Sequence, residues 1–109
     1  MDKILVADDD RILRTFIRKR LQKKYADRFE IILANDGEEA VDVLKQKYIS
    51  LLVTDIQMPK MDGMALLSYI NNKHPHIPCI VITSYPASEL EERRSDDNLF
   101  RLFPKPFQF

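Results

Sequence analysis

The chain has 109 residues, 45% of them apolar and 31% charged, which predicts one globular domain (residues 1–109) with its own core. Its formal net charge of zero argues against nucleic-acid binding by this domain, because contact with a phosphate backbone needs a basic surface. The sequence shows neither a membrane span nor a signal peptide. The single cysteine, Cys79, excludes an intrachain disulfide, and a reducing, cytoplasmic setting is expected.

Short apolar runs alternate with segments of helical periodicity. A strand is predicted at residues 4–7, then a helix with its apolar face between residues 12 and 25, then a second strand at 29–34. After a turn at 35–37, a helix at 38–47 precedes a third strand at 51–54. A helical face at 64–70, a fourth strand at 79–83, a mostly polar segment at 84–98 and a fifth strand at 99–103 complete the series.

This alternation predicts an α/β fold with right-handed crossovers and a parallel sheet. The strands are continuously apolar, as expected where helices cover both faces of a sheet. The basic residues between Arg11 and Lys24 are interpreted as the solvated face of the first helix. The chain ends within a few residues of the fifth strand, so we expect a closing helix to be missing, which would expose apolar sheet surface and favour a homodimer.

Polar side chains follow four of the five predicted strands. They are Asp8, Asp9 and Asp10 after the first strand, Asp55 after the third, Thr83 at the end of the fourth and Lys105 after the fifth. Because the carboxyl ends of parallel strands share one sheet edge, these groups should lie together, where ligands bind in such sheets. Each has a simpler interpretation by itself, and for Asp10 we prefer helix capping. Their coincidence at one edge favours a site.

Clustered carboxylates repel one another, and a hard divalent cation relieves the repulsion. Mg²⁺ suits such a set, because it takes a few carboxylates together with phosphate oxygens and water. A carboxylate can attack phosphorus to form an aspartyl phosphate. Lys105 would supply a positive charge for a phosphoryl oxygen, and Thr83 a hydroxyl donor. The predicted chemistry is phosphoryl transfer.

The motifs that surround these residues resemble those of the receiver domain of two-component response regulators. They are VADDD at 6–10, DIQMPKMDG at 55–63, IVITS at 80–84 and KPF at 105–107. The resemblance covers the whole chain, and the second motif is highly specific. It implies a doubly wound, flavodoxin-like fold whose five parallel strands are ordered 2-1-3-4-5. It also implies a signalling module rather than an enzyme.

The resemblance implies a role for each matching residue. Asp55 would be the phosphoacceptor, and Mg²⁺ would be held by the carboxylates of Asp8, Asp9 and Asp55 and by the backbone carbonyl of Gln57. Thr83 and Lys105 would contact the phosphoryl group. Other expectations concern the Ser84 amide as a donor, Tyr85 as a shield against water, and a cis bond between Lys105 and Pro106.

Two features depart from the family pattern. Leu102 stands where many receivers have a tyrosine or phenylalanine that acts as a switch, so an aromatic switch is not expected at this position. The segment from Ser88 to Asn98 is unusually polar, and we predict a short or mobile helix there. The signal would therefore have to be transmitted in some other way.

The implied partners are a sensor histidine kinase or a phosphotransfer protein as phosphoryl donor, and an output domain, possibly DNA-binding, in the parent protein. Because Met1 directly precedes the first strand, we expect the receiver at the N-terminus of its parent. Two alternatives stay open at this point. One is a phosphohydrolase with an aspartyl nucleophile, although Gln57 occupies the place of its usual second acid; the other is a receiver that is never phosphorylated.

Overall fold

The computed structural model describes residues 2–25, 28–58, 60–83 and 101–104. It contains five strands and three helices within those residues. In chain order they are β1 (Asp2–Ala7), α1 (Arg11–Tyr25), β2 (Phe29–Ala34), α2 (Gly37–Gln46), β3 (Leu51–Thr54), α3 (Gly63–Lys73), β4 (Cys79–Thr83) and β5 (Arg101–Pro104). None of the described helices is long and apolar enough to cross a membrane.

The strands form one sheet in the order β2-β1-β3-β4-β5, with every neighbouring pair parallel. β1 lies between β2 and β3, so that Ala7 is in register with Ala34 on one side and Thr54 on the other. This order confirms the predicted flavodoxin-like fold. It also means that the chain changes direction across the sheet between β1 and β3, the position where such sheets bind ligands.

Alternation along β1 separates two apolar layers. Leu5 and Ala7 belong to the core that contains the buried residues of α2 and α3, whereas Ile4 and Val6 pack in a second cluster with Ile17 of α1. Successive side chains of a strand point to opposite faces, so helices cover the sheet on both sides. The arrangement is the doubly wound fold that the continuous apolar strands predicted.

Most element boundaries agree with the sequence prediction, and two differ. Residues 35–37, predicted as a turn, include the start of α2: the Asp36 carboxylate accepts a hydrogen bond from the Glu39 amide at 2.8 Å and caps the helix. β5 starts at Arg101, two residues later than predicted. The polar segment 88–98, Ser84, Tyr85 and the Lys105–Pro106 bond lie outside the described residues, as does any closing helix.

Candidate functional site

Asp55 is a buried carboxylate at the carboxyl end of β3, with 6% of its surface exposed. Its amide donates to the Ala7 carbonyl at 3.0 Å, which continues the β1–β3 ladder one residue beyond the strand. One carboxylate oxygen, Oδ1, accepts from the Ile56 amide at 2.6 Å and from the Gln57 amide at 3.4 Å. These bonds hold the side chain at the sheet edge and orient it towards the end of β1.

The loop after β3 is held close to Asp55 by Gly63. The Gly63 amide donates to the Ile56 carbonyl at 2.8 Å. A Cβ atom at this position would overlap the Asp55 carbonyl oxygen, so only glycine allows the start of α3 to approach so closely. Residues 56–62 therefore form a tight loop whose geometry depends on the backbone of the candidate phosphoacceptor.

Asp8 and Asp9 follow β1, beside Asp55. Asp8 is buried, with 2% of its surface exposed, and Asp9 is exposed. Carboxylate oxygens of Asp8, Asp9 and Asp55 all lie within 4.8 Å of one another. Three oxygens this close meet the preference of Mg²⁺ for hard ligands, about 2 Å from the metal and roughly 3–4 Å from one another. The residues present thus fit the predicted cation, with a small inward movement of the carboxylates on binding.

Asp10 lies apart from this set of ligands. Its Oδ1 accepts from the Ile12 amide at 3.0 Å, and its carbonyl accepts from the Arg14 amide at 2.9 Å. These are the bonds of a helix N-cap, and they confirm the capping interpretation. Among the remaining predicted site residues, Gln57 is exposed beside Asp55 and Thr83 ends β4 in register with Pro104. Lys105 lies outside the described residues.

The sequence of residues 4–109 matches the family model described as the response regulator receiver domain. The chain belongs to this family. It is also 38% identical to the transcriptional regulatory protein CpxR of Escherichia coli strain K12, over 98% of this chain and 44% of that protein. The DNA-binding transcriptional regulator NtrC of Klebsiella pneumoniae is 31% identical, over 94% of this chain and 21% of the regulator. The receiver domain therefore spans less than half the length of these relatives.

Solved structures agree with this assignment. A response regulator receiver domain protein from Clostridium thermocellum superimposes with a TM-score of 0.84 at 26% identity, over 99% of this chain and 85% of the other. A CheY-like receiver domain protein from Methanospirillum hungatei JF-1 gives a TM-score of 0.88 at 22% identity, over 99% and 84% of the two chains. At that identity the second match concerns the fold alone.

Sequence analysis overlooked one side chain of the receiver domain that contacts the candidate metal site. Arg14 was included in the solvated basic face of α1, and its neighbours Arg11, Arg18 and Lys19 are indeed exposed. Arg14 is half-buried, and its guanidinium donates to the Asp8 carbonyl at 2.8 Å. One signal could have indicated it: long side chains on a helix lean towards its N-terminus, and Arg14 stands one turn after the acidic loop.

Proposed function

We propose that this receiver domain accepts a phosphoryl group on Asp55 from a phosphohistidine of a sensor histidine kinase or a phosphotransfer protein. The observation that carries the proposal is the approach of the Asp8, Asp9 and Asp55 carboxylate oxygens to within 4.8 Å of one another. Such a group of carboxylates suits a Mg²⁺-assisted transfer of a negatively charged phosphoryl group better than it suits any anion-binding role.

In this reaction an Asp55 carboxylate oxygen attacks phosphorus while the bond between phosphorus and the histidine nitrogen breaks. The electron pair of that bond stays on the imidazole, which takes up a proton. Backbone donors to Oδ1 from Ile56 and Gln57 hold the carboxylate, so its other oxygen is the one that faces the phosphoryl group. Mg²⁺, held by Asp8, Asp9 and Asp55, would neutralise charge on the phosphoryl oxygens. We assign the Gln57 carbonyl, the Thr83 hydroxyl and the Lys105 ammonium to the same site as proposals.

The receiver domain is further proposed to act as a switch rather than as an enzyme with turnover. Gln57 stands two residues after Asp55, where an aspartyl-nucleophile phosphatase needs an acid, and an amide cannot transfer the proton. CpxR and NtrC are named as a transcriptional regulatory protein and a DNA-binding regulator, so the parent is proposed to carry a DNA-binding output domain and to act in the cytoplasm. The domain itself is not the part that contacts nucleic acid.

Incubation with acetyl phosphate and Mg²⁺, followed by intact-mass and peptide mass spectrometry, tests the proposal. We expect one phosphoryl group per chain at Asp55, none in Asp55→Asn, and normal labelling in Asp42→Asn, which alters an exposed carboxylate of α2. Lys105→Met and Thr83→Ala should slow labelling. Continuous phosphate release from many substrates would favour the phosphohydrolase, and no adduct in the unaltered protein would favour a receiver that is never phosphorylated.

A further inference from the structure

The turn between β2 and α2 touches the candidate site, although none of its residues is a proposed ligand. Asn35 and Asp36 form this turn at the same sheet edge as Asp8 and Asp55. Asn35 is tied to α2, because its amide donates to the Glu39 carboxylate at 3.2 Å. Asp36 caps the same helix. The turn is therefore a fixed point from which another loop can be held.

Arg14 joins this turn to the loop that carries the acidic pair. Its Nη1 donates to the Asp8 carbonyl at 2.8 Å and also to the Asn35 side-chain oxygen Oδ1. Arg14 lies in the first turns of α1, where the positive end of the helix dipole disfavours a cation. A methionine or glutamine would favour the helix equally well without that cost. The hydrogen bonds from the guanidinium offset this unfavourable electrostatic position.

The bonded Asp8 carbonyl belongs to the peptide group that links Asp8 to Asp9. A peptide group is planar, so a contact that holds its oxygen also holds the direction in which the chain enters Asp9. The same residue is held at two other points: the Asp8 amide donates to the Ala34 carbonyl at 3.1 Å, and Oδ1 accepts from the Asp10 amide at 2.8 Å. Arg14 completes a set of contacts that determines where both carboxylates point.

We propose that Arg14 is a positioning residue for cation binding. It holds the Asp8–Asp9 peptide, with Asn35 as its second anchor, so that the two carboxylates can bind one divalent cation together with Asp55. The inference rests on the proposed function for the existence of the cation site. It adds a residue that contacts neither the cation nor the phosphoryl group and acts through the Asp8 carbonyl.

Charge and position predict opposite outcomes for Arg14→Met. Removing a positive charge beside three carboxylates would by itself strengthen cation binding. Loss of the Asp8 contact would instead weaken it, since removing a supporting partner of a metal ligand commonly costs about tenfold or more in affinity. Arg11→Met is the matched control, because Arg11 is an exposed cation in the first turn of the same helix. It should bind the cation as well as the unaltered protein does, or more tightly.

The experiment measures binding of Mn²⁺ by electron paramagnetic resonance and of Mg²⁺ by calorimetry, without any phosphoryl donor. We expect Arg14→Met to bind about tenfold more weakly, with partial recovery in Arg14→Lys, whose ammonium can still donate to the Asp8 carbonyl. In metal-free protein, the amide resonances of Asp9 and Asp10 should shift in Arg14→Met and stay in place in Arg11→Met. Thermal unfolding shows whether each variant is folded.

Unchanged or tighter binding in Arg14→Met would overturn the positioning role. If Arg14→Met does not fold, Asn35→Ala removes the second anchor from an exposed position, and it should still weaken the binding of both cations. Normal affinity in that variant would equally contradict the inference. Failure of the unaltered protein to bind either cation would refute the proposed function instead, so the two failures are distinguishable.

Discussion

Lys60 Nζ lies 3.8 Å from Asp36 Oδ2 and joins the loop after Asp55 to the first turn of α2. The Gly37 amide reinforces this junction by donating to the Met61 carbonyl at 3.2 Å. Lys60 has a positive φ of 67°, a conformation that costs a residue with a Cβ about 1–2 kcal/mol. The β3–α3 loop and the β2–α2 turn are thus held together by one ion pair, one backbone bond and one left-handed residue.

Lys60→Gly and Lys60→Val both delete the ion pair but differ in backbone preference. The Lys60 side chain is 62% exposed, so the pair itself should contribute less than about 1 kcal/mol. We expect Lys60→Gly to leave the free energy of unfolding within about 0.5 kcal/mol of the original, because glycine relieves the left-handed strain. Lys60→Val should lose about 1–3 kcal/mol. Urea unfolding measures both, and equal stabilities would show that backbone conformation at this position is unimportant.

Asp9→Asn should separate cation binding from folding. The amide is a weaker ligand and carries no charge, so Mg²⁺ affinity should fall about tenfold or more. Stability without the cation should stay equal or rise, since one member of a repelling group of carboxylates is neutralised. Asp10→Asn should retain the cap of α1 and change the affinity far less. Calorimetry and thermal unfolding measure the two quantities, and similar affinity losses in both variants would contradict the assignment of ligands.

Asp36 both caps α2 and pairs with Lys60. Asp36→Ala should destabilise the protein by about 1–2 kcal/mol through loss of the cap. Asp36→Asn keeps a side-chain oxygen for the Glu39 amide, so its loss should be smaller by about 1 kcal/mol. Asp42→Ala, on the exposed side of the same helix, should be nearly neutral. Denaturant unfolding checks the order, and equal losses in the two Asp36 variants would show that the capping bond contributes little.

Gly63→Ala should destabilise the protein although alanine is the better helix former. The added Cβ would overlap the Asp55 carbonyl oxygen, so we expect a net loss of about 1–3 kcal/mol. Displacement of Asp55 should also slow labelling by acetyl phosphate. Ser68→Ala, at an exposed position of the same helix, should be neutral or slightly stabilising. A stable Gly63→Ala variant with normal labelling would contradict the close approach.

Burial raises the pKa of the Cys79 thiol from its ordinary value of 9.0 to about 11. The thiol also donates to the Ile77 carbonyl at 3.5 Å. Since the unfolded thiol ionises first, its contribution is fully present below pH 9 and is lost as the pH rises through 11. The stability difference between the protein and Cys79→Ala should therefore shrink over that interval. A difference that stays constant from pH 8 to 11 would show that the folded thiol is not shielded.

Strands were the most predictable part of the fold. The bounds of β2, β3 and β4 agree with the prediction, because strands buried on both faces are continuously apolar and end where polar residues begin. The neighbourhood of Asp8, Asp9 and Asp55 was predictable for a related reason: in a parallel sheet, all carboxyl ends lie at one edge. Fold and acidic site thus followed from local pattern and topology.

The supporting contacts could not be predicted in the same way. Arg14 has the appearance of any cation on a solvated helix face, and only its distance to the Asp8 carbonyl distinguishes it from Arg18. Lys60 does not advertise a positive φ, since lysine has no preference for that conformation. The start of α2 was also misjudged, because Asn-Asp-Gly is typical of turns as well as of helix starts.

By itself the sequence determined the parallel α/β architecture, the family and the acidic residues that meet at the sheet edge, because these depend on periodicity and strand order. Only the tertiary structure decided how that edge is held in place. The contacts of Arg14 with Asp8 and Asn35, and of Lys60 with Asp36, join residues from different loops. Hydrogen bonds and ion pairs act over a few ångströms, and such distances exist only after the sheet has brought separate loops together.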